Sequence, residues 1–345
     1  MNDLNTHLMK ILKIEKPIIQ APMAGINTIE LASAVIRAGG LGSIACAMLT
    51  PDEIRSAYER IKSETSGSIN LNFFAHQQRE ESSEQQERWK ERLLPYYQEF
   101  GLDPDKKRVS ATRAPFNDTF CELVEELRPT VVSFHFGLPE PRLLERVKNT
   151  GAIILSSATT VSEALWLEER GCDIIIAQGT QAGGHRATFL TDTDEQLPTN
   201  SLISAMRSKI TLPIIAAGGI ASASDVEQAL KSGASAVQLG TAFLFCPEVP
   251  LSPLYRESLH GNGETVVTNI FSGRPARGIR NRFINEVGPI AKDVPEFPYA
   301  STLVAPLKKV TEESGSTEFM SLWSGSNRIP HRMDAESFIR SLFND

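Results

Sequence analysis

The chain has 345 residues, of which 41% are hydrophobic and 22% charged, with a formal net charge of −7. That length suits one large domain or a domain with an appendage, and the apolar share supports an ordinary core. The mildly acidic balance without a basic run argues against nucleic acid as a partner. No apolar run reaches membrane-spanning length, and the N-terminal MNDLNTHLMKILKIEKP lacks an apolar h-region, so a cytoplasmic protein is expected.

The first expected strand is 18–20, ending in the turn Ala21-Pro22-Met23-Ala24-Gly25. A helix over 29–38 stops at Gly39-Gly40, and a second strand, 41–44, starts at once. Thr50-Pro51-Asp52-Glu53 opens the next helix with a capping residue, proline at the first helical position and acids in the first turn. The third strand is 69–72. This βαβαβ alternation with short connections means a parallel sheet. The regularity breaks over about 77–112: residues 77–97 read as a polar helix with Trp89, Leu93, Leu94 and Tyr97 on one face, an excursion that packs outside the barrel.

The pattern returns with a helix over 116–127 and strands at 130–134, 152–155, 174–177, 213–217 and 236–239, with helices at 161–170 and 224–231. Eight parallel strands with crossovers imply an α/β fold, a (β/α)8 TIM barrel over residues 1–245. From 246 to 345 the alternation stops, and helices are expected at 301–314 and 334–342. This C-terminal appendage is expected to lie over the barrel mouth with the excursion and to contribute to the substrate region. The cysteines Cys46, Cys121, Cys172 and Cys246 are scattered, which suits reduced core residues rather than a disulfide frame, and no metal site is expected.

The stretch DIIIAQGTQAGGH, 173–185, carries the densest chemistry. A short apolar run bounded by glycines reads as a buried parallel strand. Its C-terminal end delivers Gln178, Gly183-Gly184 and His185, the kind of wiring a barrel places in its active site. The same residues also suit a plain glycine-rich turn with an exposed histidine. In the fourth strand Val131, Ser133 and His135 share one face, and Val132, Phe134 and Phe136 the other. The small polar set suits the barrel interior and puts His135 at its mouth, although a structural histidine also fits.

AAGGIAS after the seventh strand and QLGTAF after the eighth are glycine-rich ends that a closed barrel sets side by side. Barrels often hold phosphate there, on backbone N–H groups with a helix N-terminus behind. Gly218 and Gly219 allow close approach, and Thr241 adds a hydroxyl. No GxGxxG follows the first strand, so a dinucleotide site is unsupported. Asn72 and Gln178 end strands at the mouth with amides that suit the edge of an isoalloxazine ring. Flavin mononucleotide (FMN) fits this set.

Seven segments, QAPMAG (20–25), NLNFFAH (70–76), SFHFGLP (133–139), AQGTQAGGHR (177–186), IIAAGGIA (214–221), VQLGTAFL (237–244) and FSGRPARGI (271–279), together resemble the nitronate monooxygenases, formerly 2-nitropropane dioxygenases, and within them the class I bacterial branch. The resemblance runs from near Pro17 to Asn327. It implies FMN, no metal, and oxidation of alkyl nitronates such as propionate 3-nitronate by O2 to oxo compounds plus nitrite. By motif, flavin contacts fall on Met23, Asn72, Gln178, Gly183, Gly219, Gln238, Leu239, Gly240 and Thr241. The catalytic histidine is His185, His135 is a second active-site residue, and Tyr299 belongs to the substrate region.

Gln181 stands where the family usually has Glu, and Leu303 where some relatives carry a second tyrosine. Arg274 and Arg277 are expected to pin their own loop by salt bridges, with binding of an acidic substrate as the alternative. A nitronate is already an anion, so a histidine that donates a hydrogen bond or is protonated suffices to hold its charge. The alternative activity is that of an NAD(P)H-dependent FMN reductase of the same barrel group, acting on enoyl-acyl carrier protein or quinones. A non-catalytic flavin-carrying subunit is the third possibility. Sequence leaves the oligomeric state open.

Overall fold

Eight short, almost wholly buried strands close into a parallel barrel. The computed structural model describes residues 3–26, 28–106, 113–190 and 195–343. In chain order the strands are β1 (Ile18–Gln20), β2 (Gly42–Ala45), β3 (Ile69–Phe74), β4 (Val131–His135), β5 (Ile153–Ala158), β6 (Ile174–Gln178), β7 (Gly184–His185), β8 (Ile214–Ala217) and β9 (Ala236–Leu239). All but β7 belong to the barrel, whose order β1-β9-β8-β6-β5-β4-β3-β2 is closed by a parallel bridge between Ile19 and Leu41.

The helices are α1 (Asp3–Leu12), α2 (Ile29–Arg37), α3 (Pro51–Glu64), α4 (Ser83–Glu99), α5 (Asp118–Leu127), α6 (Pro141–Asn149), α7 (Val161–Glu169), α8 (Thr199–Arg207), α9 (Ala223–Lys231), α10 (Pro253–His260), α11 (Arg282–Val287), α12 (Ala300–Glu313) and α13 (Ala335–Phe343). Their starts follow local chemistry. Thr50 and Glu53 close the capping box expected for α3, and Thr160 caps α7 through the Glu163 N–H. Among the described residues no helix is long and apolar enough to cross a membrane.

Strand parity sorts the core. Ile19, Leu41, Val131, Leu155, Ile174, Ile176 and Ile215 fill the barrel interior, while Val132, Phe134, Ile154, Ile175 and Val237 face the helices. The interior cluster also takes in Leu8 and Leu12 of α1. That helix is invisible to strand-and-crossover reasoning, because its apolar positions only acquire a partner once the barrel has closed. All four cysteines are buried and unpaired.

Phe136 departs from its expected place. The chain leaves β4 at His135, and Phe136 adopts a left-handed φ of 72°. Its ring therefore joins Ala47, Phe74 and Phe297 in a small cluster over the strand ends instead of the helix layer.

Trp89, Leu93, Tyr96 and Tyr97 of α4 form a separate core with Phe271, Phe283, Leu303, Leu307 and Phe319 of the C-terminal part. Leu94, expected on the packed face, is exposed and Tyr96 is buried in its stead, as the helical period from 89 and 93 dictates. Residues 77–82 are not helical, and 107–112 of the expected excursion lie outside the described residues. The C-terminal part also holds a hairpin that sequence missed, β10 (Thr265–Thr268) with β11 (Ala276–Ile279). The last helix, α13, returns to the barrel's helix layer through Phe338, Ile339 and Leu342.

Candidate active site

Every barrel strand contributes its C-terminal end to one cavity, from Ala21 after β1 to Gln238 on β9. It encloses about 1450 Å³ of empty space, open mouth included. One side is a glycine cradle. Gly218-Gly219 and Gly240-Thr241 line it beside Gly183 and Gly325. A Cβ on Gly218, whose φ is +113°, would lie 2.6 Å from the Ala182 nitrogen, so the loops pack as closely as bare backbone permits. Thr241 Oγ1 accepts the Gly325 N–H at 2.9 Å, which leaves its hydroxyl proton for a ligand. Asn327 ties this end shut by donating to Gly219 O and to Asp225, just inside the N-terminus of α9. These are features of a phosphate site.

Gln238 lines the same cavity, and its buried Oε1 has no hydrogen-bond partner among the described residues. An orphaned buried acceptor calls for a donor from a ligand. Leu239 does not join it: alternation turns that side chain into the helix layer, so only its backbone is available. Met23 lines the cavity with Pro22 and Ala24. Asn72 donates to Ser133 Oγ at 2.9 Å across the β3–β4 pair, which commits its Nδ2 and leaves Oδ1 as the acceptor it can offer a ligand.

His185 is held from three directions. β7 pairs antiparallel with β11, setting His185 opposite Ala276. Gln178 Nε2 donates to the His185 carbonyl at 2.9 Å while its Oε1 accepts the Ala187 N–H. Both amide atoms of Gln178 therefore serve this loop. Ser272 Oγ lies 2.8 Å from His185 Nε2 and donates onward to Arg274 O at 3.3 Å. This network assigns the proton to Nε2, with Ser272 accepting, and leaves a lone pair on Nδ1. Next in sequence, the fully buried Arg186 donates to Gly179 O, Gln178 O and Gln196 Oε1. The FSGRPARGI segment thus orients the histidine from 87 residues away.

His135 stands next to it, hydrogen-bonded to the His185 backbone and 4.5 Å from the Phe136 ring. Burial pushes the His135 pKa down to about 3, with Arg274 adding to the depression, and that of His185 well below its usual value, with Arg113, His135 and Arg274 adding to it. His76 sits edge-on to Phe297 at 5.1 Å, pushed down to about 4 by burial. All three are neutral at pH 7, so the protonated form of His185 is disfavoured in the ligand-free protein.

This has a consequence for acid stability. The unfolded histidines titrate near 6.5, so below that pH the unfolded chain binds protons that the folded one refuses. The contribution is complete above about 6.5 and drains as pH falls towards the folded values, with an upper limit of about 1.4 kcal/mol per pH unit for each histidine. Denaturant midpoints should decline between pH 6.5 and 4.5, less steeply in His76→Gln. A flat profile there would contradict the neutral assignment.

Three expected residues lie elsewhere. Tyr299 is outside the cavity lining, with its hydroxyl donated to Arg79 O at 2.9 Å, and Leu303 is buried in the α4 core. Arg277 does pin its loop, but through the carbonyls of Thr180 and Thr265 rather than through salt bridges. Gln181 accepts the Thr199 N–H at 2.8 Å and caps α8, where Pro198 offers no side-chain cap. Sequence singled out none of Arg113, Phe74, Phe297, Trp323 and Ser272, although Phe74 and Ser272 lie within the NLNFFAH and FSGRPARGI segments.

Comparison with known proteins agrees with this geometry. The family model for nitronate monooxygenases matches residues 5–345. The nitronate monooxygenase of Pseudomonas aeruginosa is 35% identical over 339 residues, covering 96% of this chain and 97% of that one. That of Paraburkholderia phytofirmans is 36% identical over 323 residues, covering 92% and 88%. The crystal structure of nitroalkane oxidase from Streptomyces ansochromogenes superimposes with a TM-score of 0.87 at 30% identity, covering 98% and 97%. A match of that length, with the closed barrel and the clamped His185 behind it, makes this chain a member of the nitronate monooxygenase family.

Proposed function

We propose that this chain is an FMN-dependent oxidoreductase that oxidises alkyl nitronates, of the propionate 3-nitronate type, with O2 to oxo compounds plus nitrite. The observation that carries the reading is one cavity with a glycine cradle at one side and a clamped, neutral His185 lining it. FMN suits the cradle because a single phosphate has a place there, and the orphaned Gln238 Oε1 suits a ring N–H. Gly183, Gly218, Gly219, Gly240 and Thr241 would hold the phosphate end, and Met23, Asn72 and Gln238 the ring. When bound, FMN supplies the acceptor for the substrate's electrons and their route to O2.

The protein's own groups then position an anion. His185 Nε2–H is engaged by Ser272, so Nδ1 is where a proton can be taken up. A nearby anion raises the proton affinity of an imidazole. The ring, neutral when the site is empty, therefore gains its charge together with substrate, where that charge counters the nitronate. His135, next to the His185 backbone, orders the same wall.

The purified protein is expected to be yellow and to release FMN, not FAD, on denaturation, read by chromatography of the flavin. Under anaerobic conditions an alkyl nitronate should bleach the bound flavin, and NADH or NADPH should not do so at a comparable rate. Released FAD would overturn the cofactor assignment. Rapid NADH oxidation with a quinone, alongside indifference to nitronate, would replace this reading by a reductase.

A further inference from the structure

The short turn Thr241–Phe245 serves two cavities. Thr241 and Leu244 line the barrel mouth, and Phe245 lines a second cavity with Pro247, Arg256, His260, His331 and Arg332. No residue lines both. The second encloses about 1000 Å³ of empty space, open mouth included. Its walls carry two guanidinium groups, two imidazoles and no carboxylate, in a chain whose formal net charge is −7. The walls are held in place. Arg256, half-buried on α10, donates through Nη2 to Val249 O at 2.9 Å. Arg328 ties its segment to the end of α10 by donating to the Ser258 and Gly263 carbonyls. His331 donates Nε2–H to Ala242 O at 3.0 Å and accepts the Met333 N–H on Nδ1. Both its nitrogens are spent and burial lowers its pKa, so this ring, stacked on Phe338 at 4.2 Å, is a neutral wall. His260 stands edge-on to Phe245 at 5.2 Å. Arg332 follows His331 directly and is exposed.

The carboxylates on the surrounding elements are turned elsewhere. Asp334 accepts the Ser337 N–H and hydroxyl, and Glu248 Oε1 accepts the Ala335 N–H at 2.9 Å, so both serve the start of α13. Glu248 Oε2 is buried without a hydrogen-bond partner among the described residues, so it reaches neither arginine. Glu257 follows Arg256 on α10 and projects from a different face. Among the described residues Arg256 and Arg332 form no ion pair. Guanidinium forks match carboxylate and phosphate in shape and charge. Two forks on one cavity offer more than a singly charged carboxylate needs, and they suit the three oxygens and the double charge of a phosphate monoester. We propose that Arg256 and Arg332 form a second anion site, separate from the barrel mouth, that binds the phosphate group of a small phosphate ester or free inorganic phosphate. The cavity has room for more than a bare ion, and Phe245 and His260 stand where the body of an ester would lie. None of these residues takes part in the proposed reaction.

The test titrates the flavin-loaded, desalted protein with glycerol 3-phosphate and with inorganic phosphate, by calorimetry at constant ionic strength. Bound flavin keeps phosphate out of the cradle at the barrel mouth. Wild type is compared with Arg256→Met, Arg332→Met and the control Lys231→Met, which removes an exposed charge paired with Glu227 on α9. Wild type should bind glycerol 3-phosphate at about 1 mM or tighter, and each arginine variant about ten- to a hundredfold more weakly. The control should match wild type. Arg332 is exposed and has no hydrogen bond among the described residues, so its variant carries the test even if Arg256→Met fails to fold. Inorganic phosphate bound as tightly as the ester would identify the free ion as the ligand, and weaker binding would identify an ester; either upholds the site if the arginines are required. No heat from wild type at about ten times that concentration, or equal affinity in Arg332→Met, the control and wild type, would overturn it.

Discussion

His185→Ala is expected to lower nitronate turnover by about 10²–10⁴-fold, the usual contribution of a positioned acid–base group, while leaving FMN bound. The separation of effects follows from how the residue is held. Its backbone is fixed by the pairing with Ala276 and by Gln178, neither of which involves the imidazole. Removing the ring therefore leaves the glycine loop in place and Ser272 Oγ without its partner. The cradle at Gly218-Gly219 and Gly240-Thr241 is untouched. Ser272→Ala should cost much less, because the ring stays but its Nε2 proton loses its anchor. The measurements are kcat at saturating nitronate and the flavin-to-protein absorbance ratio. Turnover near wild type in His185→Ala, with full flavin, would remove the histidine from the chemistry. Loss of flavin in the same variant would show instead that the ring supports the cofactor.

Gly183→Val should purify largely without flavin. A Cβ at this position would lie 2.4 Å from the Gly325 nitrogen and 2.6 Å from the Ser324 carbonyl carbon, both backbone atoms that cannot swing aside. The loop carrying Gln181 to His185 must then part from the 324–326 segment, which is joined to it by Ser326 N–H donating to Gln181 O and joined to Thr241 through Gly325. Overpacking of this kind costs about 1–3 kcal/mol, and that cost falls on the conformation that binds phosphate, so FMN affinity should drop about ten- to a hundredfold. Gly184→Ala is the matched control. Its φ of +72° makes any side chain strained, but a Cβ there meets nothing within 4 Å. It should lose some stability and keep most of its flavin. Full occupancy in Gly183→Val, at unchanged thermal stability, would show that the cradle does not hold the phosphate.

Both predictions use parts of the protein that differ in how far sequence alone reaches. The barrel strands were legible because their chemistry is local. Apolar runs ended by glycines mark buried parallel strands, and parity along 131–135 placed Val131 inside, Val132 outside and His135 at the mouth. The glycine loops after β8 and β9 converge on one cavity for the same reason: adjacent strands of a closed barrel put their C-terminal ends together. Capping residues such as Thr50 and Thr160 announce helix starts without any tertiary partner.

What the chain's tertiary structure decided is everything that depends on residues far apart in sequence. Ser272 reaches His185 across 87 positions, Gly325 reaches Thr241 across 84, and Tyr97 reaches the Leu303 carbonyl across 206. The strand that orients His185 has two residues and pairs with a four-residue partner, too short for any alternation to register. Gln178, whose sequence position suggests a ligand contact, has both amide atoms engaged by the His185 loop. Arg274 and Arg277 lie three residues apart in one motif. One is held by backbone carbonyls and the other lies over the Phe136 ring with a buried Nη1 that has no hydrogen-bond partner among the described residues, because only the folded chain decides which carbonyl, ring or carboxylate each guanidinium meets.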